Sequence, residues 1–303
     1  MPTDFTLPTR DLAGYGANPP DPQWPGGARI AVNFCITYEE GAEMCVLNGD
    51  DRSEVRVSDL IVAARPGQRD LNIESCYEYG SRVGYWRLMR AFTDRGLPAT
   101  VNLVGLAGEL VPEPLAAMIE AGFDIQPHGW RWVDYHELDE TAERALIEKG
   151  RDQVIRLTGQ APMGYYAGLP SINTRRLATE AGYVFDSDCY NDDLPWWSHD
   201  FGKPHLVIPY SLETNDSRFG RGEGYQVGDE FFAYIRDSFD VLYAEGAEHP
   251  KMMTVGLHAR LLGRPGRIGA LHRILDHMLA HDHIWIARRE DIARHWMEVH
   301  PAA

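Results

Sequence analysis

The residues best suited to acid–base chemistry in this chain are two neighbouring carboxylates in Thr37-Tyr38-Glu39-Glu40-Gly41 and two imidazoles, one in His128-Gly129-Trp130-Arg131-Trp132 and one in Gly256-Leu257-His258. A carboxylate at a strand exit can take a proton from water, and a histidine placed likewise can give one to a departing nitrogen. Successive strand residues face opposite ways, so only one of Glu39 and Glu40 need point into a pocket. His128 follows Gln126-Pro127 and precedes Gly129, a constrained loop on which its ring can act as general acid, oxyanion donor or metal ligand. Catalytic zinc takes three protein ligands, and Trp132 stands where a second imidazole would be needed.

Other clusters point elsewhere. The run Asp186-Ser187-Asp188-Cys189-Tyr190-Asn191-Asp192-Asp193 is rich in oxygen ligands but lacks the central Gly and closing Glu of a calcium loop. His277 and His281 share a helix face and, with no acidic or cysteine residue three or four positions from either, read as a solvated face. The four cysteines, Cys35, Cys45, Cys76 and Cys189, show no Cys-x-x-Cys spacing and so suggest neither a zinc ribbon nor a redox pair. Trp130, Trp132, Trp196 and Trp197 are available to wall a small, dry pocket.

These motifs must be held by the elements around them. Short apolar runs, Ile30 to Ile36, Thr100 to Val104, Phe123 to Ile125, Gly164 to Tyr166, Tyr183 to Phe185, Leu206 to Pro209, Met253 to Leu257 and Ile284 to Ile286, alternate with helical patterns. The helical patterns run Gly80 to Arg95, Pro112 to Ala121, Glu140 to Leu157, Asn173 to Ala181, Asp229 to Glu245 and Arg267 to His281. That alternation predicts α/β architecture, a distorted (β/α) barrel of seven to eight parallel strands. The polar motifs follow their strands, where a barrel gathers its active site. The Gly- and Pro-rich residues 1–28 form an N-terminal arm, and residues 29–303 a single barrel domain.

A net charge of -16 sets the protein against nucleic acid and anionic membrane surfaces. Met1-Pro2-Thr3-Asp4-Phe5 lacks the basic start of a signal peptide, and no apolar run approaches the ~20 residues of a membrane span, so a cytoplasmic protein is expected.

Together these motifs resemble those of the polysaccharide deacetylase superfamily, which carries Thr-Phe-Asp-Asp-Gly, His-Ser/Thr-x-x-His and Leu-x-His. The chain looks most like the branch containing the metal-independent allantoinases and cyclic imide hydrolases. Asp11 to Pro20, Tyr77 to Arg82, Asp186 to Trp197 and Gly263-Arg264-Pro265 carry that likeness across nearly the whole sequence. Metal-dependent relatives place Asp and His where Glu40 and Trp132 stand here. Gly168-Leu169-Pro170 replaces an expected arginine-bearing loop, which leaves the ring open among allantoin, hydantoin and imide.

The resemblance implies ring-opening hydrolysis of a small cyclic amide with no cofactor, zinc-dependent deacetylation being the alternative, and a homotetramer. In a cyclic ureide or imide the second carbonyl stabilises the expelled nitrogen, so the reaction can proceed without a Lewis acid. The expected catalytic residues are Glu39 to activate water, His258 to protonate the leaving nitrogen, and His128, with backbone N–H groups of the Tyr166–Gly168 loop, to steady the oxyanion. Glu40, Arg82, Trp130, Trp132, Tyr166, Gly168 and Arg264 are expected around the substrate, Arg82 and Arg264 being equally suited to structural ion pairs.

Overall fold

The computed structural model describes residues 10–60 and 62–302. The first nine residues of the expected arm, signal-peptide region included, lie outside the described residues.

Strand β1, Ile30–Tyr38, alternates two kinds of side chain. Ile30, Val32, Phe34, Ile36 and Tyr38 enter the main apolar core against the helices, whereas Asn33, Cys35 and Thr37 alternate with them on the inner face. β1 pairs in parallel with β8 (Lys251–His258) along one edge. The other edge is shared by β2 (Thr100–Leu103) beside its C-terminal half and β9 (Ile284–Ile286) beside its N-terminal half. β3 (Asp124–Pro127) extends this sheet beyond β2. Register aligns His258, Thr37, Asn102 and Gln126 in one row.

A second sheet has the order β4 (Gly164–Tyr165), β5 (Phe185–Asp186), β7 (His205–Val207) and β6 (Trp196–Ser198), the last antiparallel to β7. The two sheets meet at the Tyr166 N–H to Pro127 carbonyl bond of 3.2 Å and at a bridge between Asn215 and Gly256. The structure has the expected α/β architecture with parallel pairing, in two sheets that no continuous ladder closes among the described residues. The aromatic run Trp196-Trp197 lies in a strand and lines a cavity beside the N-terminal arm.

Helices cover the outer faces: α1 Leu71–Tyr79, α2 Tyr85–Thr93, α3 Gly105–Leu110, α4 Pro112–Glu120, α5 Glu140–Thr158, α6 Thr174–Ala181, α7 Gly228–Glu245, α8 Ala259–Leu262, α9 Pro265–Leu279 and α10 Arg289–Val299. The α5 boundaries follow from its ends, since Asp139 accepts from the Ala142 N–H and Gly159 takes φ 72° at the C-cap. The helix expected from Gly80 instead begins at Leu71, capped by Asp70, and passes through a π turn, Gly80–Gly84, before α2. Glycine makes that turn possible: a Cβ on Gly84 would lie 2.0 Å from the Ala259 carbonyl oxygen, and one on Gly263 would lie 2.4 Å from Gly84 Cα. The π turn and α8 thus pack backbone to backbone.

Inside the fold, Arg289 at the start of α10 is fully buried. It donates to Ser187 Oγ at 2.9 Å, Thr254 Oγ1 at 2.9 Å and the Pro209 carbonyl at 3.0 Å, and also to the Ile208 carbonyl. One guanidinium so joins β8 to the segments following β5 and β7. Among the described residues, no helix is long and apolar enough to cross a membrane.

Gly84→Ala is expected to cost roughly 2 kcal/mol or more, because backbone has to move to admit the methyl group. Gly269→Ala, exposed on α9 with nothing within 4 Å of the new Cβ, should stabilise by about 0.5–1 kcal/mol. Paired urea denaturation of the two variants reads both signs.

Candidate active site

Continuing the inward series of β1 by two residues brings Glu39 to the C-terminal ends of the strands. There its carboxylate, 1% exposed, has three cationic or imidazole neighbours. Arg260 Nη2 lies 2.6 Å from Oε2, while His128 Nε2 and His258 Nε2 lie 3.4 Å and 3.9 Å from Oε1. Burial alone would raise the Glu39 pKa, but Arg260 and then the two histidines outweigh it and hold the carboxyl at about 2. Glu40 turns the other way from the chain and packs over Gly80. Burial raises its pKa, opposed by Arg260, whose Nη1 is 3.7 Å away, and reinforced by Glu39.

The partners of each imidazole fix its tautomer. His128 Nδ1 lies 2.6 Å from the Tyr166 carbonyl oxygen, which can only accept, so Nδ1 carries hydrogen. His258 Nδ1 lies 2.6 Å from Asp216 Oδ1 and donates there. In both rings Nε2 is consequently the atom that gains or loses a proton, and both Nε2 atoms face one carboxylate oxygen. Asp216 is fully buried; its second oxygen accepts the N–H groups of His258 at 2.8 Å and Leu262 at 3.1 Å, fastening the start of α8. A Cβ on Gly256 would strike Asn215 and the Tyr210 hydroxyl, so the glycine of Gly-Leu-His lets the Asp216 segment approach.

Tyr166 stacks on His128 with centroids 5.0 Å apart and 4° between planes, and on Tyr210 at 4.7 Å. Gly168, at φ +74°, would place a Cβ 3.0 Å from His128 Cε1. Tyr166 and Gly168 therefore lie against His128, but the backbone N–H groups of their loop do not form an oxyanion hole. The Ala167 and Gly168 N–H groups both donate to Asp188 at 2.8 Å, and the Tyr166 N–H is used by Pro127.

Four expected substrate contacts lie elsewhere. Arg82 is exposed and faces Glu78 at 3.8 Å. Arg264 stacks 3.7 Å over the Tyr79 ring and pairs with Asp59. Trp130 is packed against Gly105 beneath the Lys149 ammonium, 3.6 Å from its ring centre. Trp132 joins the apolar core below Arg56. The four tryptophans do not share a pocket, since Trp196 and Trp197 flank the N-terminal arm.

Two functional residues went unassigned in the sequence. Arg260 lies two positions beyond His258, and Asp216 follows Asn215 in a polar pair after a strand. Neither spacing discloses that these groups meet Glu39 and His258.

The donor set suits zinc poorly. Glu39 is already committed to a guanidinium that would repel a divalent ion, Trp132 supplies no ligand, and the one trio of ligand atoms within 4.8 Å of one another among the described residues is in another part of the chain.

Fold and site together define a hydrolase scaffold of the polysaccharide deacetylase family, to which the chain belongs. Residues 68–185 match that family, and a putative polysaccharide deacetylase of Schizosaccharomyces pombe is 39% identical over 97% of this chain and 98% of its own. Among solved structures, PuuE allantoinase is 48% identical with a TM-score of 0.95, covering 97% of this chain and 99% of that one. A probable polysaccharide deacetylase from Pseudomonas aeruginosa PAO1 is 50% identical with the same TM-score and the same coverage.

Burial also pushes the Glu43 carboxyl up to about 7. A raised acid pKa means that the folded state holds a proton the unfolded chain has released, so stability falls as pH rises from about 4.5 to about 7. Glu43→Gln should therefore stabilise by roughly 2–3 kcal/mol at pH 8 and by almost nothing near pH 4. Chemical denaturation at the two pH values checks this.

Proposed function

We propose that this protein opens a small cyclic amide ring, an allantoin-type ureide, hydantoin or cyclic imide, by water attack on a ring carbonyl without a metal ion. The observation that carries this reading is the convergence of two oriented imidazole Nε2 atoms on the Glu39 carboxylate, itself neutralised by Arg260. The 48% identity to an allantoinase over almost the whole chain supports it.

A carboxyl held at about 2 is a weak base at neutral pH. The better acceptor for the proton of water is His258, oriented by Asp216 as a triad histidine is oriented by its aspartate. Water oxygen bonds to the ring carbonyl carbon as His258 Nε2 takes the proton. His128 Nε2–H stabilises the oxyanion, and Glu39 balances the positive charge that builds on either ring. Collapse breaks the carbon–nitrogen bond, the nitrogen receives the proton from His258, and the new carboxylic acid releases the second proton of the water to solvent to become a carboxylate. Glu39 is thus assigned as the counter-charge, in place of the base expected from the sequence.

The name of the fission-yeast relative favours a second reading, zinc-dependent deacetylation of a polysaccharide. Burial weighs against it: the side chains of Glu39, His128 and His258 are at most 8% exposed, whereas a polymer needs an open groove. The homotetramer and cytoplasmic location expected from the sequence belong to the first reading.

Turnover on allantoin, hydantoin, succinimide and maleimide, before and after chelation and with metal content measured, separates the two. Chelator-insensitive ring opening is expected; activity abolished by chelation, with one zinc per chain, would establish the deacetylase mechanism instead. Glu39→Gln and Asp216→Asn should each lower kcat by on the order of 10²–10⁴-fold with the fold intact by circular dichroism. Full activity in Glu39→Gln would overturn the site.

A further inference from the structure

His277 and His281 meet in the structure an acidic partner from another helix. His277 is in the last turn of α9 and His281 lies four residues further on, just beyond the helix end; α9 packs beside α7, which presents Asp240 with Oδ1 2.7 Å from His277 Nε2. The two imidazoles meet edge to face with centroids 4.9 Å apart. His281 Nδ1 lies 2.9 Å from the His277 carbonyl oxygen and donates to it, which leaves the Nε2 lone pair available. Phe239 and Tyr243 pack edge-on against His281 at 5.1 Å and 5.0 Å and hold its ring in place. The carboxylate oxygen and two ring nitrogens lie within 4.8 Å of one another, a convergence found in no other trio of His, Cys, Asp or Glu among the described residues.

We propose that Asp240, His277 and His281 form a surface site for a divalent transition metal, zinc by ligand type, clamping α7 to α9. Two imidazoles and one carboxylate are a borderline ligand set, well matched to zinc or cobalt; magnesium and calcium prefer oxygen alone. Zinc ligands in a tetrahedron stand roughly 3.3 Å apart, so small side-chain rotations complete the shell and leave a fourth position for water. Because Asp240 is on a different helix from the histidines, the ion would join elements far apart in sequence. The role is structural, since none of the three residues touches Glu39, His128 or His258.

The test uses the full chain, stripped of metal, with cobalt(II) as the spectroscopic probe and zinc as competitor. One cobalt per chain with the visible absorption of a tetrahedral ion is expected, displaced by zinc, and saturating zinc should raise Tm by about 5 °C. His277→Gln and His281→Gln should each weaken binding by about 100-fold or more. Both leave far-UV circular dichroism and ring-opening activity unchanged. Absence of binding at millimolar cobalt would overturn the proposal, as would binding that survives both variants. Binding lost instead in Glu39→Gln would place the ion at the catalytic cluster and overturn it too. Ring-opening turnover is scored separately, so failure here leaves the hydrolase reading standing.

Discussion

Two carboxylates adjacent in sequence and buried side by side repel one another and lose their hydration, a cost that only a fixed cation offsets. Arg260 is that cation, 2.6 Å from Glu39 and 3.7 Å from Glu40, with its guanidinium 4.1 Å from the Tyr77 ring centre. Its position depends on α8, a helix of only four residues. Such a helix has almost no stability of its own, so its placement comes from outside. Asp216 accepts two of its backbone N–H groups or those just before it, and the π turn meets it without intervening side chains. The glycines, the π turn and the Asp216 segment are in this sense parts of one device that presents a cation to Glu39.

The same economy of charge runs through the interior. The outer face of β1 is ordinary apolar core, but its inner face is polar from Asn33 to Glu39 and is matched by Thr100, Gln126 and Thr254 on neighbouring strands. Hydrogen-bonded polar groups of this kind specify position more strictly than apolar packing does. Arg289 serves the lower part of this interior as Arg260 serves the upper. The ends of the strands are thereby held at fixed separation, as proton transfer between Glu39, His128 and His258 requires.

Much of this was legible in the sequence because β1, β8 and β9 contain short apolar runs and α5 carries both a cap and a C-terminal glycine. The three catalytic candidates were legible because each follows a strand, and a parallel sheet brings such positions to one edge. What escaped depends on contacts distant in sequence. Arg260 acquires its meaning only from Glu39, some 220 residues away, and Asp216 only from the ring of His258. Arg82 and Arg264 misled for the complementary reason: nearby partners, Glu78 and Tyr79 with Asp59, already occupy them. At β4 and β5 the apolar runs are longer than the two residues of each that pair with a neighbouring strand.

The pairing of β1 bears on how the chain is made. This strand leaves the ribosome well before β8, yet its longest ladder is with β8, whose residues are synthesised some 220 positions later. At ordinary elongation rates the nascent strand waits on the order of ten to forty seconds for that partner. Throughout the interval its apolar face and open edges are available to other chains, and pairing of such long range is intrinsically slow. Protection of the segment Ile30–Tyr38 from other chains is accordingly incomplete until β8 has emerged to cover its edge.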